Sequence, residues 1–202
     1  METSGNRFFV SNISDIDMNE LAAKALPSLP EQCQNGIHMM VFDPEEGERE
    51  SILAYVPGES INGVHVSTLK SRKGPGMVLE LMWLGSGVDV YLLFSLMNAV
   101  KKMYPDARIT GCDADGNCSD EEAEISDTAR DEAFMQRLDL FATLISTDVP
   151  FVNLDTIRGP KRFDLEEFRS RTSGKSLEEQ VVQFLYDLTD DLWYRDETKA
   201  DA

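Results

Sequence analysis

Between Asp113 and Glu124 the chain reads Asp-Ala-Asp-Gly-Asn-Cys-Ser-Asp-Glu-Glu-Ala-Glu. Hard cations take several oxygen ligands from a single loop. Side-chain oxygens recur here at Asp113, Asp115, Asn117, Glu121 and Glu124. This is the sharpest local signal in the sequence, and the chemistry it points to is cation binding or a metal-dependent reaction. The competing reading is a solvated acidic loop that turns at Asp115-Gly116.

Taken as loop positions 1, 3, 5, 9 and 12, these residues resemble the calcium loop of EF-hand proteins, across twelve residues only. The resemblance implies a calcium site, and two departures weigh against it. Cys118 stands at the sixth position, where the sharp turn takes glycine, and Asp120 at the eighth, which is usually apolar. The segment before the loop contains Pro105 and reads as a strand, so the incoming helix of that motif is missing. The solvated loop is the favoured expectation, with no tight calcium site.

Other reactive residue types are sparse. Gly85-Ser86-Gly87 is not a G-x-S-x-G nucleophile elbow, and Ser86 suits a helix N-cap. The two histidines, His38 and His65, sit in apolar strand-like runs, which leaves little room for a catalytic triad. Asp187, Asp190 and Asp191 share part of one helical face, and Asp127 and Asp131 could form a second, as a magnesium site requires. No phosphate-binding loop accompanies them, because Gly74-Pro75-Gly76 lacks the lysine and hydroxyl of a nucleotide loop. No catalytic residue is identified and no cofactor is expected. Cys112 and Cys118, with five residues between them, lack the second pair or histidine that completes a zinc site. With Cys33, they are expected to be reduced thiols in a reducing compartment.

Charge says more than any motif. Nineteen Lys plus Arg against 37 Asp plus Glu give −18, which disfavours non-specific contact with nucleic acid or anionic lipid. It suits another protein as partner, a basic one or a second copy. The charge is also segregated. Residues 112–139 hold ten acids and two bases, a net of −8, and residues 158–175 hold six bases and three acids, a net of +3. The basic island either neutralises the acidic face within the fold or docks an anion. Residues 1–10 lack the basic-then-apolar order of a secretory signal. The longest apolar stretch, from Val88 to Tyr104, is too often interrupted by polar residues to span a membrane. A cytoplasmic protein is expected.

The elements that must hold these residues follow from periodicity. Strands are expected at 7–10, 37–42, 52–56, 64–69, 77–83 and 107–110, with turns at Asp43–Gly47 and Ser71–Gly76. Helices are expected at 18–26, 86–104, 126–146, 164–171 and 176–194, and a short strand at 151–154. The fold class is α+β: an antiparallel sheet of four or more strands covered by helices, with a C-terminal helical segment. The 202 residues are read as one domain, with a helical appendage over 155–195 and a disordered tail at 196–202.

The last helix carries two stripes. Val181, Phe184, Leu185, Leu188 and Leu192 face one way, and Val182, Tyr186, Thr189 and Trp193 face the other. The second stripe is either covered, for instance by Phe8 and Phe9, or an exposed anchor for a partner, since Tyr and Trp are enriched at binding hot spots. Val182, Tyr186 and Trp193 are the candidate contact residues. The expected function is a cytoplasmic, non-catalytic protein-binding module of the inhibitor, immunity or adaptor type. A metal-dependent enzyme or ion-binding module using Asp113–Glu124 is the alternative.

Overall fold

The computed structural model describes residues 7–33, 36–42, 51–71, 74–82, 84–113 and 115–194. The turn expected at Asp43–Gly47, the whole of the expected tail and part of the turn expected at Ser71–Gly76 lie outside them. The elements run β1 (Arg7–Ser11), α1 (Met18–Ala25), β2 (His38–Phe42), β3 (Ser51–Tyr55), β4 (Val64–Ser71), β5 (Gly74–Leu81), α2 (Gly87–Met103) and β6 (Arg108–Cys112). They continue with α3 (Asp127–Ser146), β7 (Phe151–Thr156), β8 (Gly159–Asp164), α4 (Leu165–Thr172) and α5 (Leu177–Trp193). Helix starts follow the capping signals. The Asp17 carboxylate accepts from the Asn19 amide at 2.8 Å, and Ser86 and Ser176 each form a capping box.

Two antiparallel hairpins, β2–β3 and β4–β5, join edge to edge, and β1 and β6 extend them into a six-stranded sheet of order β2-β3-β4-β5-β1-β6. Alternation along the strands decides which face is buried. Phe8 and Val10 of β1, Ala54 of β3, Val64 and Val66 of β4, and Met77, Leu79 and Leu81 of β5 pack with α1 and α2 in one core. Helix α2 presents Val90, Leu92, Leu93, Leu96, Met97, Ala99 and Val100 to that core, as expected for a helix with little polar face.

A second core gathers Phe141 and Ile145 of α3, Leu154 of β7, Leu165 and Phe168 of α4, and Val181, Phe184, Leu188 and Leu192 of α5. Strand β8 was not foreseen, and the C-terminal segment is a β7–β8 ribbon plus helices rather than helices alone. Its sequence, Gly-Pro-Lys-Arg-Phe-Asp, carries charge and a proline where strands usually carry β-branched residues. Only tertiary packing of Phe163 on Phe168 and Phe184 marks its inner face.

One buried carboxylate ties the two cores together. Asp89, at the start of α2, is 0% exposed. It accepts backbone N–H groups from Ile61 at 3.2 Å, Asn62 at 3.1 Å, Gly63 at 3.0 Å and Ser86 at 2.7 Å. Ile61 and Leu84, on either side of this knot in the chain, belong to the second core. Gly63 has φ +70°, and a Cβ there would lie 2.5 Å from the Ala54 carbonyl oxygen, so no other residue fits this bend. From α3, Arg137 reaches the same region and is only 4% exposed. Burial lowers its pKa to about 10, and the negative charge of Asp89 opposes that shift. Among the described residues no helix is long and apolar enough to cross a membrane.

Candidate functional site

Helix α5 docks through Val181, Phe184, Leu188 and Leu192, all buried in the second core. The stripe on its far side divides. Val182 is 67% exposed and Tyr186 65%, so neither is covered by Phe8 or Phe9. Phe8 belongs to the first core, and the Phe9 ring lies over Gly76. Trp193, two turns beyond Tyr186, behaves differently. Its indole N–H donates to the Ser60 carbonyl at 2.9 Å, and its ring stacks on Tyr55 at 6.1 Å. The Arg158 guanidinium lies 5.1 Å from the same ring. The helix is thus open at Val182 and Tyr186 and anchored at Trp193, where both readings of the stripe had treated it as a unit. Beyond Trp193 the aromatic row continues through Tyr55 to His38, 5.7 Å away on β2.

The acidic loop is organised around its own backbone. The Asp113 carboxylate accepts from the Asn117 amide N–H at 2.8 Å and from its side-chain amide at 3.0 Å. These bonds, the side-chain one foremost, hold the Asp113 pKa below the usual carboxylate range. Glu124 accepts from the Ser126 hydroxyl at 2.6 Å. Glu122 is engaged with Lys101, and the Arg108 guanidinium donates to the Asp120 carbonyl. Among the described residues no three His, Cys, Asp or Glu side chains are gathered as metal ligands.

Cys112 and Cys118 are joined in a disulfide, which corrects the expectation of three free thiols; Cys33 alone is free, and it is buried. The register supplies the reason. The turn over 113–117 folds back as an antiparallel bridge that sets Cys118 opposite Cys112, with Cα atoms 3.9 Å apart. The same segment then covers the outer side of β6. Ser119 donates to the Gly111 carbonyl and Ala123 to the Ile109 carbonyl, each at 2.8 Å.

No family model matches the chain, and no curated protein or solved structure matches it. The chemistry of the remaining candidates therefore rests on geometry alone. His65 lies on the sheet face away from α2, between Glu80 of β5 and Leu53 of β3 in the cross-strand register. Burial lowers its pKa, and the nearby Glu80 charge acts against that. His38 is exposed at the start of β2. The two histidines stand on different strands, separated by β3.

Four of the carboxylates singled out on α5 and α3 pair with cations of the protein itself. Asp187 pairs with Arg171, Asp191 with Lys161, and Asp127 and Asp131 with Arg130. The bases of the island have partners within the fold as well, most of them neutral. Besides Lys161 and Arg171, Arg158 stacks on Trp193 and Arg162 lies 3.6 Å over the Phe151 ring. Arg169 donates to the Thr147 carbonyl at 2.8 Å and the Val149 carbonyl at 2.7 Å, closing the end of α3. Lys175 donates to the Gln183 side chain at 2.7 Å. Among the described residues, two of the six bases of the island are paired with acids and four contact neutral groups.

Two features escaped the sequence. The Asp89–Arg137 knot joins residues 48 positions apart on two helices that give no local sign of meeting. The free edge at β2 depends on strand order, which periodicity does not supply. Its one sequence signal is a run of five residues, His-Met-Met-Val-Phe, without a charge or a proline.

Proposed function

We propose that the chain is a cytoplasmic, non-catalytic protein-binding module whose partner is a basic protein, engaged through the outer face of α5. The observation that carries this reading is the exposure of Val182 and Tyr186 on a helix already docked by its opposite side. A large aromatic that the fold does not need, set among Glu178, Glu179 and Asp190, is the make-up of an anchor with an acidic rim. The charge of −18 favours a basic partner over a second copy, since two such chains repel.

Val182→Ala combined with Tyr186→Ala is expected to leave unfolding free energy within about 0.5 kcal/mol of wild type. The same variant should lose the partner retained by the wild-type chain in a pull-down from the native host. Trp193→Ala, by contrast, should cost about 3 kcal/mol in urea titration, because it empties a packed site. A double variant that retains the partner would remove α5 from the interface.

The compartment has its own readout. In a reducing cytoplasm the Cys112–Cys118 bridge seen in the structure is expected to open to two thiols, which rapid alkylation in the native host followed by intact mass would detect. A bridge retained under those conditions would place the protein in an oxidising compartment.

A further inference from the structure

The sheet has two edges, and the fold treats them differently. The outer side of β6 is covered by residues 118–123, through the backbone bonds from Ser119 and Ala123 described above. Among the described residues, none covers the outer side of β2 in this way. Among the described residues no backbone hydrogen bond reaches it except those from β3. An antiparallel edge strand turns alternate N–H and C=O groups outward, where they are free to pair with another extended chain. Natural edges are usually blunted by lysine, proline, a bulge or a charge pointing inward. β2 has none of these. Val41 is 59% exposed and Met40 39%, and the five residues pair with Ser51–Tyr55 in unbroken register.

Beside this edge lies a groove. Asn19, Ala22 and Ala23 of α1, with Leu26 just after it, form one wall, and Gly36, Ile37 and Met39 form the other, around a space of about 360 Å³. The walls are small and mostly apolar, so there is room between helix and strand for side chains that the protein itself does not supply. A strand laid against β2 would direct every second side chain into that space and leave the others on the open side. Among the described residues, the exposed charge along and beside α1, which lines the groove, is mostly acidic: Asp15, Asp17, Glu20 and Glu31 against Lys24.

We infer that the groove between α1 and β2 takes an extended peptide segment of a partner as a seventh strand, with small apolar side chains at alternate positions and basic residues at its flanks. The outward backbone groups of β2 supply affinity, the groove selects the alternate side chains, and the acidic mouth holds the flanks. A second copy is disfavoured as occupant, because antiparallel β2–β2 pairing would bring together two chains of −18. This surface is separate from the outer face of α5 and does not depend on it.

The test uses the full chain and a synthetic peptide in which Val and Thr alternate between two lysine pairs. Binding is read by fluorescence anisotropy and by hydrogen exchange with mass spectrometry. Exchange should slow at residues 38–42. One of the two alternating N-methylated versions of the peptide, which lacks donors on the pairing edge, should bind on the order of tenfold more weakly. A version with glutamate in place of lysine should weaken by a similar factor. Ala23→Trp, which fills the groove from an exposed helix position, should also weaken binding on the order of tenfold without moving the melting temperature. The Val182→Ala, Tyr186→Ala variant should bind the peptide as wild type does, so failure here and failure of the α5 reading are distinguishable. Absence of binding, equal binding by both N-methylated peptides, or equal binding by Ala23→Trp overturns the inference. So does protection over residues 112–139 instead of 38–42, which would mean charge attraction only. Slowed exchange at 38–42 in the peptide-free chain that grows with protein concentration would give the edge to a second copy.

Discussion

Asp89→Ala should cost about 3–5 kcal/mol of folding stability, a large effect of the kind expected when a buried hydrogen-bond network loses its acceptor. Four backbone donors, on Ile61, Asn62, Gly63 and Ser86, lose their acceptor at once. Each buried donor left unpaired carries a desolvation cost of roughly 1–3 kcal/mol, part of which local rearrangement and water will recover. Arg137 is left buried without the charge that opposes its own desolvation. Adding Arg137→Met to Asp89→Ala removes the charge that Asp89 had offset and should restore part of the loss, so the two substitutions are expected to be less than additive. Denaturant titration of the two single variants and the double variant measures the coupling. A loss below about 1 kcal/mol for Asp89→Ala would mean that the knot is not what holds the cores together.

Phe184→Ala is the second large effect. The ring is fully buried, with centroids of Phe163 at 4.5 Å, Phe168 at 5.5 Å and Phe141 at 5.6 Å. Truncating it leaves a cavity where four elements meet, and the expected cost is about 3–5 kcal/mol. Because Ile61 and Leu84 carry the second core up to Asp89, the loss should appear as one cooperative transition. Tryptophan fluorescence and far-ultraviolet circular dichroism should give the same midpoint. Separate midpoints would show that the second core unfolds on its own.

The parts of this fold that are legible in the sequence are those decided locally. The α2 and α5 stripes, the capping boxes at Ser86 and Ser176, and both hairpins follow from residue spacing and turn chemistry, and the structure has each of them. What is not legible depends on partners distant in the chain. β8 is a strand because Phe163 meets Phe184, twenty-one residues on, although its own residues argue against a strand. Arg137 looks like one more polar residue of α3 until the approach of α2 buries it beside Asp89. Tyr186 and Trp193 share a stripe by periodicity, yet only Trp193 is near enough to Tyr55 and Ser60 to be captured by the body of the protein. The Cys112–Cys118 pairing was missed for a related reason. The spacing does not fit a metal site, but it does fit a turn that folds back on the end of β6.

The central claim, that this chain works by holding a basic protein on the outer face of α5, is most directly tested by photocrosslinking in the native host. A photoreactive phenylalanine analogue at position 186 is compared with the same analogue at the exposed position 135 on α3. The expected result is one dominant adduct from position 186, absent from position 135, whose crosslinked protein is basic by peptide mass mapping. No adduct from 186, or the same set of adducts from both positions, would contradict the account.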